Sequence, residues 1–325
     1  MQIYKFNSIL KPILWGGDRL VTFKGLPPRD EAIGESWELS AMPGRESVVT
    51  VGDDKGMTLS QLVHRYGADL VGENVSRRYG DQFPLLIKLI DARRDLSVQV
   101  HPDEAMAHRL HGCSGKTEMW YILEADEGAV IRTGFSRSIT AEEFDRRLAE
   151  GTILDIINET PSKPGDTFYI PAGQIHTIGA GNLLLEIQQS SDITYRVWDF
   201  NRRDAAGNLR ELHINEAREA LDFNAHDGYV DYMAAPGNGI TPLVKCREFE
   251  VSRLSFDDGY SLAMPRPHSF VVLMCVEGML SLHVDGMPDT TLSRGETALV
   301  PAVAEGIEMT GHAQVLLATV PTIDN

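Results

Sequence analysis

The sequence predicts a mainly β protein with helical insertions, built from two β units of which the second is degenerate. Helical periodicity is confined to the first two thirds of the chain, whereas the part after about residue 240 consists of short apolar runs broken by Gly, Asp and Pro. A weak internal repeat relates residues 164–179 to residues 294–311. These observations indicate two β units of one type, the first enlarged by helices.

Four segments of the first part are predicted to be helical. Thr58 to Tyr66 opens with a capping residue, and Asp103 to Leu110 follows a His-Pro pair. Thr140 to Glu143 fits a capping box, in which the side chains of the first and fourth residues bond each other's backbone amides. Asn215 to Leu221 closes the helical region.

The second part is predicted to be entirely β, with a linker before it. Residues 224–239 are polar and rich in turn residues, which is typical of a linker or a long crossover. We therefore expect one domain over residues 1–237 and a smaller β domain over residues 238–325. The strands predicted in the smaller domain are Glu248 to Phe256, Ser269 to Val276, Leu280 to Val284 and Thr297 to Val300.

Charge and cysteine content exclude several classes of function. The chain of 325 residues has 30 Lys and Arg against 47 Asp and Glu, and its formal net charge of −17 would repel nucleic acids and anionic membranes. The three cysteines form no CxxC motif, which argues against a disulfide scaffold or a zinc ribbon. The N-terminus lacks a secretory pattern, and the longest apolar run, Phe270 to Val276, is too short to span a bilayer. We therefore expect a cytoplasmic protein with a small-molecule partner, and the oligomeric state is left open.

Three strand-like segments carry residues that can bind a metal. Asp95 to His101 alternates, so Leu96, Val98 and Val100 share one face while Ser97, Gln99 and His101 share the other. In residues 116–120 the same period places Lys116, Glu118 and Trp120 together, and residues 165–176 end in a Pro/Gly turn before His176. Imidazole, carboxylate and a neutral amide oxygen are ligands for a first-row divalent cation. The predicted ligands are Gln99, His101, Glu118 and His176.

Lys88 and Glu186 are charged residues inside apolar runs, where a charge is costly without a partner. Lys88 either faces an anionic ligand in a cavity or reaches solvent from an edge strand. Glu186 is either a functional carboxylate or half of a buried ion pair with Lys88 or Arg196. The tryptophans at 15, 37, 120 and 198 are predicted core and pocket walls, and a sugar can pack on Trp15.

The spacing Gly165-x5-Pro171-x-Gly173-x2-His176 resembles the second motif of the cupins, jelly-roll or double-stranded β-helix barrels that hold a metal inside. The first cupin motif normally carries His-x-His, and Gln99-x-His101 in its place resembles the type I phosphomannose isomerases. The length is similar to the short bacterial form. The resemblance extends over nearly the whole chain, through residues 11–17, 34–40, 83–90, 96–102, 115–121, 170–176 and 191–199.

The resemblance implies two cupin-type barrels, with residues 1–237 as the catalytic, metal-binding domain. It also implies one zinc ion per chain on the four predicted ligands, and Arg196 as the active-site arginine. The implied reaction interconverts mannose 6-phosphate and fructose 6-phosphate through a cis-enediol. Glu186, Lys116 and a metal-bound water are all candidates for the proton-transfer base, and Lys88, Ser97 and Trp15 are the candidate substrate-binding residues.

The second repeat copy is expected to bind no metal. Gly306 stands where His176 would fall, and His268 stands alone at roughly the place of Glu118. The second barrel would then serve a structural or oligomerising role. Two alternatives remain for the whole chain: a non-catalytic sugar-phosphate sensor on the same fold, and an Fe(II) cupin dioxygenase, which the absence of His-x-His disfavours.

Overall fold

A computed structural model of the chain describes residues 1–203, 207–232, 238–264 and 269–322. These residues form seven α-helices and one 3₁₀-helix, Ile153–Ile156. The α-helices are α1 (Arg19–Phe23), α2 (Leu59–Tyr66), α3 (Ala68–Val71), α4 (Glu73–Tyr79), α5 (Glu104–His111), α6 (Ala141–Ala149) and α7 (Ile214–Ala220). None of the helices in these ranges is long and apolar enough to cross a membrane.

The strands before residue 232 are β1 (Tyr4–Lys5), β2 (Ile9–Gly17), β3 (Ile33–Leu39), β4 (Ala41–Met42), β5 (Arg45–Glu46), β6 (Leu85–Ala92), β7 (Val98–Val100), β8 (Glu118–Ala125), β9 (Val130–Phe135), β10 (Ile157–Pro161), β11 (Thr167–Ile170), β12 (His176–Ile178), β13 (Asn182–Gln189), β14 (Tyr195–Trp198) and β15 (Tyr229–Val230). The later strands are β16 (Gly239–Lys245), β17 (Glu250–Phe256), β18 (Gly259–Ala263), β19 (Val271–His283), β20 (Thr290–Ser293), β21 (Thr297–Val300) and β22 (Gly306–Thr319). The prediction of a mainly β protein with helices in its first part is confirmed.

The four predicted helices correspond to α2, α5, α6 and α7, and the caps explain where three of them begin. Thr58 forms a capping box with Gln61 at the start of α2. Asp103 accepts the amide hydrogen of Met106 at the start of α5, and Thr140 accepts that of Glu143 in α6. Each such cap contributes about 1 kcal/mol. The short helices α1, α3 and α4 have no side-chain cap, and the sequence analysis did not predict them.

Two sheets of the first part pack face to face and carry the candidate site. The seven-stranded sheet, called here the large sheet, has the order β15-β11-β8-β13-β6-β3-β2. The five-stranded sheet, called the small sheet, has the order β10-β9-β12-β7-β14. One apolar cluster joins Ile90, Ile122 and Leu184 of the large sheet to Ile131 and Ile178 of the small sheet.

The opposite face of the large sheet packs on the second part of the chain. Because side chains alternate along a strand, Ile87 and Leu89 point away from the face that carries Lys88. They join Phe270, Val272 and the rest of a shared core with the eight-stranded C-terminal sheet. The two parts of the chain are therefore joined through a continuous apolar layer.

The C-terminal sheet repeats the strand pairing of the large sheet. β11 pairs with β8 and β8 pairs with β13, just as β21 pairs with β19 and β19 pairs with β22. Ile170 lies opposite Glu118 in the first case, and Val300 lies opposite Val271 in the second. An apolar side chain thus stands in the second unit where the first unit has a carboxylate. His268 lies outside the described residues.

The C-terminal sheet differs from the prediction at one strand. Two strands were expected at residues 269–276 and 280–284, but β19 is one strand of 13 residues. A shift in the pairing with β22 between Cys275 and Glu277 accommodates the exposed Glu277-Gly278 step, so hydrogen bonding continues across it. The sheet also includes β1, because Tyr4 and Lys5 pair with β21.

Candidate metal centre and adjoining pocket

The four predicted metal ligands come from both sheets of the first part. Gln99 is the central residue of β7 in the small sheet, and His176, at the start of β12, is its direct cross-strand partner. His101 follows the end of β7, where Pro102 stops the strand. Glu118 begins β8 in the large sheet. Strand pairing and sheet packing therefore bring together four residues that are far apart in the sequence.

The ligating atoms of His101, Glu118 and His176 all lie within 4.8 Å of one another. The two Nε2 atoms are 3.2 Å apart, and the carboxylate oxygens of Glu118 lie 3.3 Å from His101 Nε2 and 3.4 Å from His176 Nε2. The amide nitrogen of Gln99 lies 3.2 Å from His176 Nε2, while its oxygen accepts a hydrogen bond from Ser97 Oγ at 3.4 Å. Ligation by Gln99 therefore requires its side-chain amide to flip, so that the oxygen instead of the nitrogen faces His176.

Backbone carbonyls fix the tautomer of both histidines. His101 Nδ1 donates to the carbonyl oxygen of Ile193 at 2.9 Å, and His176 Nδ1 donates to that of Gln174 at 2.8 Å. Each neutral imidazole then presents the lone pair of Nε2 to the centre, as in metal sites with an oriented histidine. Burial, reinforced by the charge of Lys116, lowers the pKa of His101 to about 3. Burial also lowers the pKa of His176.

The group satisfies the chemical requirements for a divalent cation. Burial alone would raise the pKa of Glu118, but the charge of Lys116, together with the interactions with His101 and His176, outweighs burial and holds the pKa well below its usual range. Both carboxylate oxygens of Glu118 are buried without a hydrogen-bond donor of good geometry. Two imidazole nitrogens and a carboxylate are a common donor set for zinc and similar metals. Among the described residues, this is the only such His, Cys, Asp or Glu group.

Lys116 lies beside the ligand set rather than apart from it. Its Nζ is 2.9 Å from His101 Nε2 and 3.0 Å from Glu118 Oε2. The side chain is only 4% exposed. The expected grouping of Lys116 with Glu118 is therefore present in the structure, although regular strand pairing begins only at Glu118.

A cavity of about 290 Å³ adjoins the group and is lined by all the other predicted site residues. Such a volume lies near the lower end of the ~300–1000 Å³ range of small-molecule sites. A Cβ at Gly34 would lie 2.9 Å from the ring of Trp15, so the glycine lets this wall of the cavity pack closely. The predicted residues in the lining are Trp15, Lys88, Ser97, Gln99, Lys116, Glu186 and Arg196.

Lys88 and Glu186 form a buried ion pair across β6 and β13, where they are direct cross-strand partners. Lys88 Nζ lies 2.9 Å from Glu186 Oε2 and donates to Gln188 Oε1 at 2.7 Å. Trp120 Nε1 donates to the other oxygen of Glu186 at 2.9 Å. Because β6 is an interior strand and Lys88 is only 3% exposed, the edge-strand alternative for Lys88 is wrong.

Glu35 completes this ionic network, and the sequence analysis did not single it out. Burial alone would raise its pKa, but the charges of Lys88 and Lys11 outweigh burial and lower it. Trp37 Nε1 donates to Glu35 Oε2 at 2.7 Å. Glu35 and Glu186 both affect the pKa of Lys88. Burial alone would lower this pKa, but the charges of the two carboxylates outweigh burial and raise it above its usual value.

A cluster of arginines lies at another part of the lining. Arg196 lies opposite Gln99 in the small sheet, and its Nη1 donates to the carbonyl oxygen of Glu211 at 2.8 Å. Burial, and then the nearby charge of Arg210, lower the pKa of Arg196. Arg210, like Asp192, lines the cavity but was not predicted, since it lies in an irregular segment with no periodic pattern.

The fold and the site define the class: mainly β proteins that hold a buried His–Glu–His group beside a small, highly charged pocket. The family model for the catalytic domain of type I phosphomannose isomerase matches residues 3–133. Mannose-6-phosphate isomerase ManA of Bacillus subtilis (strain 168) is 34% identical over 324 residues, which covers 96% of this chain and 97% of that protein. The chain therefore belongs to the type I phosphomannose isomerase family, and it is an isomerase.

Solved structures are similar over the same extent. The crystal structure of the mannose 6-phosphate isomerase from Bacillus subtilis has a TM-score of 0.88 at 31% identity, and the match covers 98% of this chain and 99% of that one. A mannose 6-phosphate isomerase structure described as holo and zinc bound has a TM-score of 0.80 at 17% identity, covering 99% and 100% of the two chains. This second similarity concerns the fold alone. The family resemblance inferred from the sequence is confirmed.

Proposed function

We propose that the protein interconverts mannose 6-phosphate and fructose 6-phosphate, an aldose–ketose isomerisation through a cis-enediol, with one zinc ion per chain. The observation that carries this proposal is the buried His101–Glu118–His176 group next to a pocket that contains both carboxylates and cations. Lys116, which lines the pocket, contacts His101 and Glu118. Family membership supports the same reaction, because the relative named above is a mannose-6-phosphate isomerase.

The residues that would hold the metal are His101, Glu118, His176 and, through its amide oxygen, Gln99. When bound, a divalent metal supplies positive charge that stabilises negative charge developing on a substrate oxygen. A neutral amide leaves the site more electropositive than a second carboxylate would. The zinc-bound structure of the same fold is consistent with zinc as the metal.

We assign proton transfer between C1 and C2 of the sugar to Glu186. The base removes the proton from the carbon beside the carbonyl, the enediol forms, and the same group returns a proton to the neighbouring carbon. Lys88 and Trp120 hold the two carboxylate oxygens of Glu186 at the pocket wall. Lys88 itself stays protonated, because its partners raise its pKa, and so it positions the base rather than acting as one.

Lys116 and Arg196 are assigned electrostatic roles. The hydrogens of Lys116 Nζ face a histidine nitrogen and a carboxylate oxygen, so the lysine acts as a donor in this arrangement. A guanidinium is a poor general base, and its planar donors suit a developing enediolate oxygen. Ser97 and Trp15 would contact the sugar from the pocket wall.

The two-barrel architecture and the domain boundary at residues 237 and 238 belong to the same proposal. The strand pairing shared by the large sheet and the C-terminal sheet supports two cupin-type barrels. Val271 at the position of Glu118 supports a second barrel that binds no metal. The C-terminal domain then contributes its apolar face to the shared core instead of taking part in the reaction.

A coupled assay of fructose 6-phosphate formation, with and without a chelator, tests the proposal. We expect turnover that the chelator abolishes and that added zinc restores. Turnover that survives complete metal removal would overturn the metal role. Binding of the sugar phosphate without any turnover would instead support a sensor on this fold.

A further inference from the structure

The backbone of Arg196 is only partly held by its own sheet. In the described part of the chain β14 lies at the edge of the small sheet, beside β7. The register of the two strands shifts between Arg196 and Trp198, so the pairing is irregular at this point. In an antiparallel ladder the amide and carbonyl groups of one residue point to the same side, and those of Arg196 both face His213 instead of β7. Edge groups of this kind need a partner other than the sheet.

His213 supplies that partner with two hydrogen bonds. Its backbone amide donates to the carbonyl oxygen of Arg196 at 2.8 Å, and the amide of Arg196 donates to His213 Nδ1 at 3.2 Å. The imidazole nitrogen therefore takes the place of the carbonyl that a further strand would offer. His213 occupies the N-cap position of α7, where a side chain usually accepts an amide hydrogen of its own helix. The His213 side chain makes no such bond.

The neighbouring chain holds His213 at this edge. Phe200 and Asn201 both have positive φ, at 53° and 54°, so the chain turns sharply after β14. On the other side of His213, the amide of Ala217 donates to the His213 carbonyl oxygen at 2.8 Å, which joins the histidine to the first turn of α7. Ala217 is fully buried in the same apolar cluster as Val197 of β14. The position of His213 relative to β14 is therefore fixed by packing.

The guanidinium of Arg196 depends on this backbone placement. Among the described residues Arg196 forms no ion pair, because the carboxylate of Asp199 is paired with Arg202 and Arg210 instead. Its Nη1 donates to the carbonyl oxygen of Glu211 at 2.8 Å. Its Nε is buried and has no acceptor in the same set of residues. No carboxylate therefore fixes the guanidinium, and its direction follows from where the Arg196 backbone lies.

We propose that His213 is a positioning residue that holds Arg196 in place for the isomerisation; the inference rests on the function proposed above. The segment 211–213 bonds both the backbone of Arg196 and its guanidinium, which lines the pocket. Without the imidazole, the Arg196 amide loses its acceptor at the sheet edge, and the strand is free to shift. A misplacement of about 1 Å in an active site can cost about 100-fold in rate.

The test compares His213→Ala with His213→Asn in the metal-loaded protein. Asn Oδ1 is as many bonds from Cα as His Nδ1, so it can accept the same amide hydrogen. His213→Ala should fold and keep its metal, but its kcat should fall by about 10- to 100-fold while KM changes by less than about threefold. His213→Asn should recover most of this loss.

Glu219→Ala is the matched control within α7. Glu219 forms an exposed ion pair with Arg109 of α5, so this change removes an attachment of the helix without touching Arg196. Its kcat should stay within about twofold of the wild type, as expected for a surface pair. Circular dichroism and melting curves check that each variant folds, and elemental analysis checks its metal content.

Hydrogen exchange supplies a readout that does not depend on turnover. NMR should show slow exchange of the Arg196 amide hydrogen in the wild type and in His213→Asn, and exchange at least about tenfold faster in His213→Ala. A folded His213→Ala variant with the kcat of the wild type would overturn the inference. So would a His213→Asn variant that regains thermal stability without regaining kcat. A wild type that does not isomerise the sugar phosphate would instead refute the proposed function, and the exchange rates would still decide whether His213 holds Arg196.

Discussion

Replacing Lys88 with methionine tests the ionic network at the pocket wall. Lys88 and Glu186 are each 4% exposed, and their charged atoms are 2.9 Å apart. Without the lysine, Glu186 keeps the hydrogen bond from Trp120 but loses the one ion-pair partner that the described residues give it. Glu35 at the same time loses its strongest cationic neighbour. Breaking a buried pair by removing one partner costs about 3–5 kcal/mol. We expect a loss of this size in the free energy of unfolding of Lys88→Met.

The double variant Lys88→Met/Glu186→Gln should recover most of that stability, because no uncompensated charge remains at Glu186. It should still be inactive if Glu186 is the base. Stability is measured by urea unfolding of the metal-loaded protein, with the four members of the double-mutant cycle compared under one condition.

The chain offers a matched control for this cycle. Lys245 and Glu250 are also direct cross-strand partners, 2.8 Å apart, but their side chains are 70% and 36% exposed. Lys245→Met should therefore cost about 0–1 kcal/mol, as for other surface pairs. Equal losses for Lys88→Met and Lys245→Met, or no recovery in the double variant, would refute the reasoning from burial.

Four further predictions concern the proposed metal ligands, Arg196 and the C-terminal sheet. His176→Ala should lose more of its metal than Gln99→Ala, because an amide oxygen is a weaker donor than an imidazole nitrogen. Elemental analysis of the two variants measures this difference. An active enzyme without metal would contradict the assignment of the ligands. Arg196→Ala should fold and keep its metal, but its kcat should fall by about 10²- to 10³-fold, and Arg196→Lys should recover part of this loss. A change in KM with kcat unchanged would show that Arg196 binds the substrate instead. His283→Ala, on the exposed end of β19, should leave kcat and metal content unchanged. In metal-free protein the pKa of His101 is about 3 in the folded state, below the unfolded value of about 6.5. Its contribution to the free energy of unfolding is therefore complete above pH 6.5 and is lost as the pH falls, by about 2 kcal/mol from pH 7 to pH 5. This part of the pH dependence should be absent in a His101→Gln variant.

The grouping of His101, Glu118 and His176 could be predicted because local patterns place each of these residues. Alternation puts Gln99 on the same face as Ser97, and a proline stops the strand after His101. The Pro/Gly turn before His176 projects that side chain in the same way. Each element carries its ligand at a position that the period of the strand determines, so assembly of the sheets completes the group.

The rest of the pocket depends on contacts that no local pattern encodes. Whether Lys88 faces solvent or a partner depends on β6 lying between β13 and β3, which is a property of the whole sheet. Arg210 reaches the pocket through a turn of irregular backbone and a shared carboxylate, Asp199. The continuity of β19 likewise depends on its partner β22, which tolerates one extra residue.

Pairing of β1 with β21 has a consequence for folding during synthesis. Lys5, in β1, lies 291 residues before Glu296, its ion-pair partner beside β21. At translation rates of about 5–20 residues per second, the first strand is synthesised roughly 15–60 seconds before its partner. All strands of the large and small sheets precede residue 232, so the His101–Glu118–His176 group can assemble while β1 is still unpaired. Closure of the C-terminal sheet by β1 is then a late step of high contact order, and a nascent chain stalled before β21 would expose an unpaired strand edge.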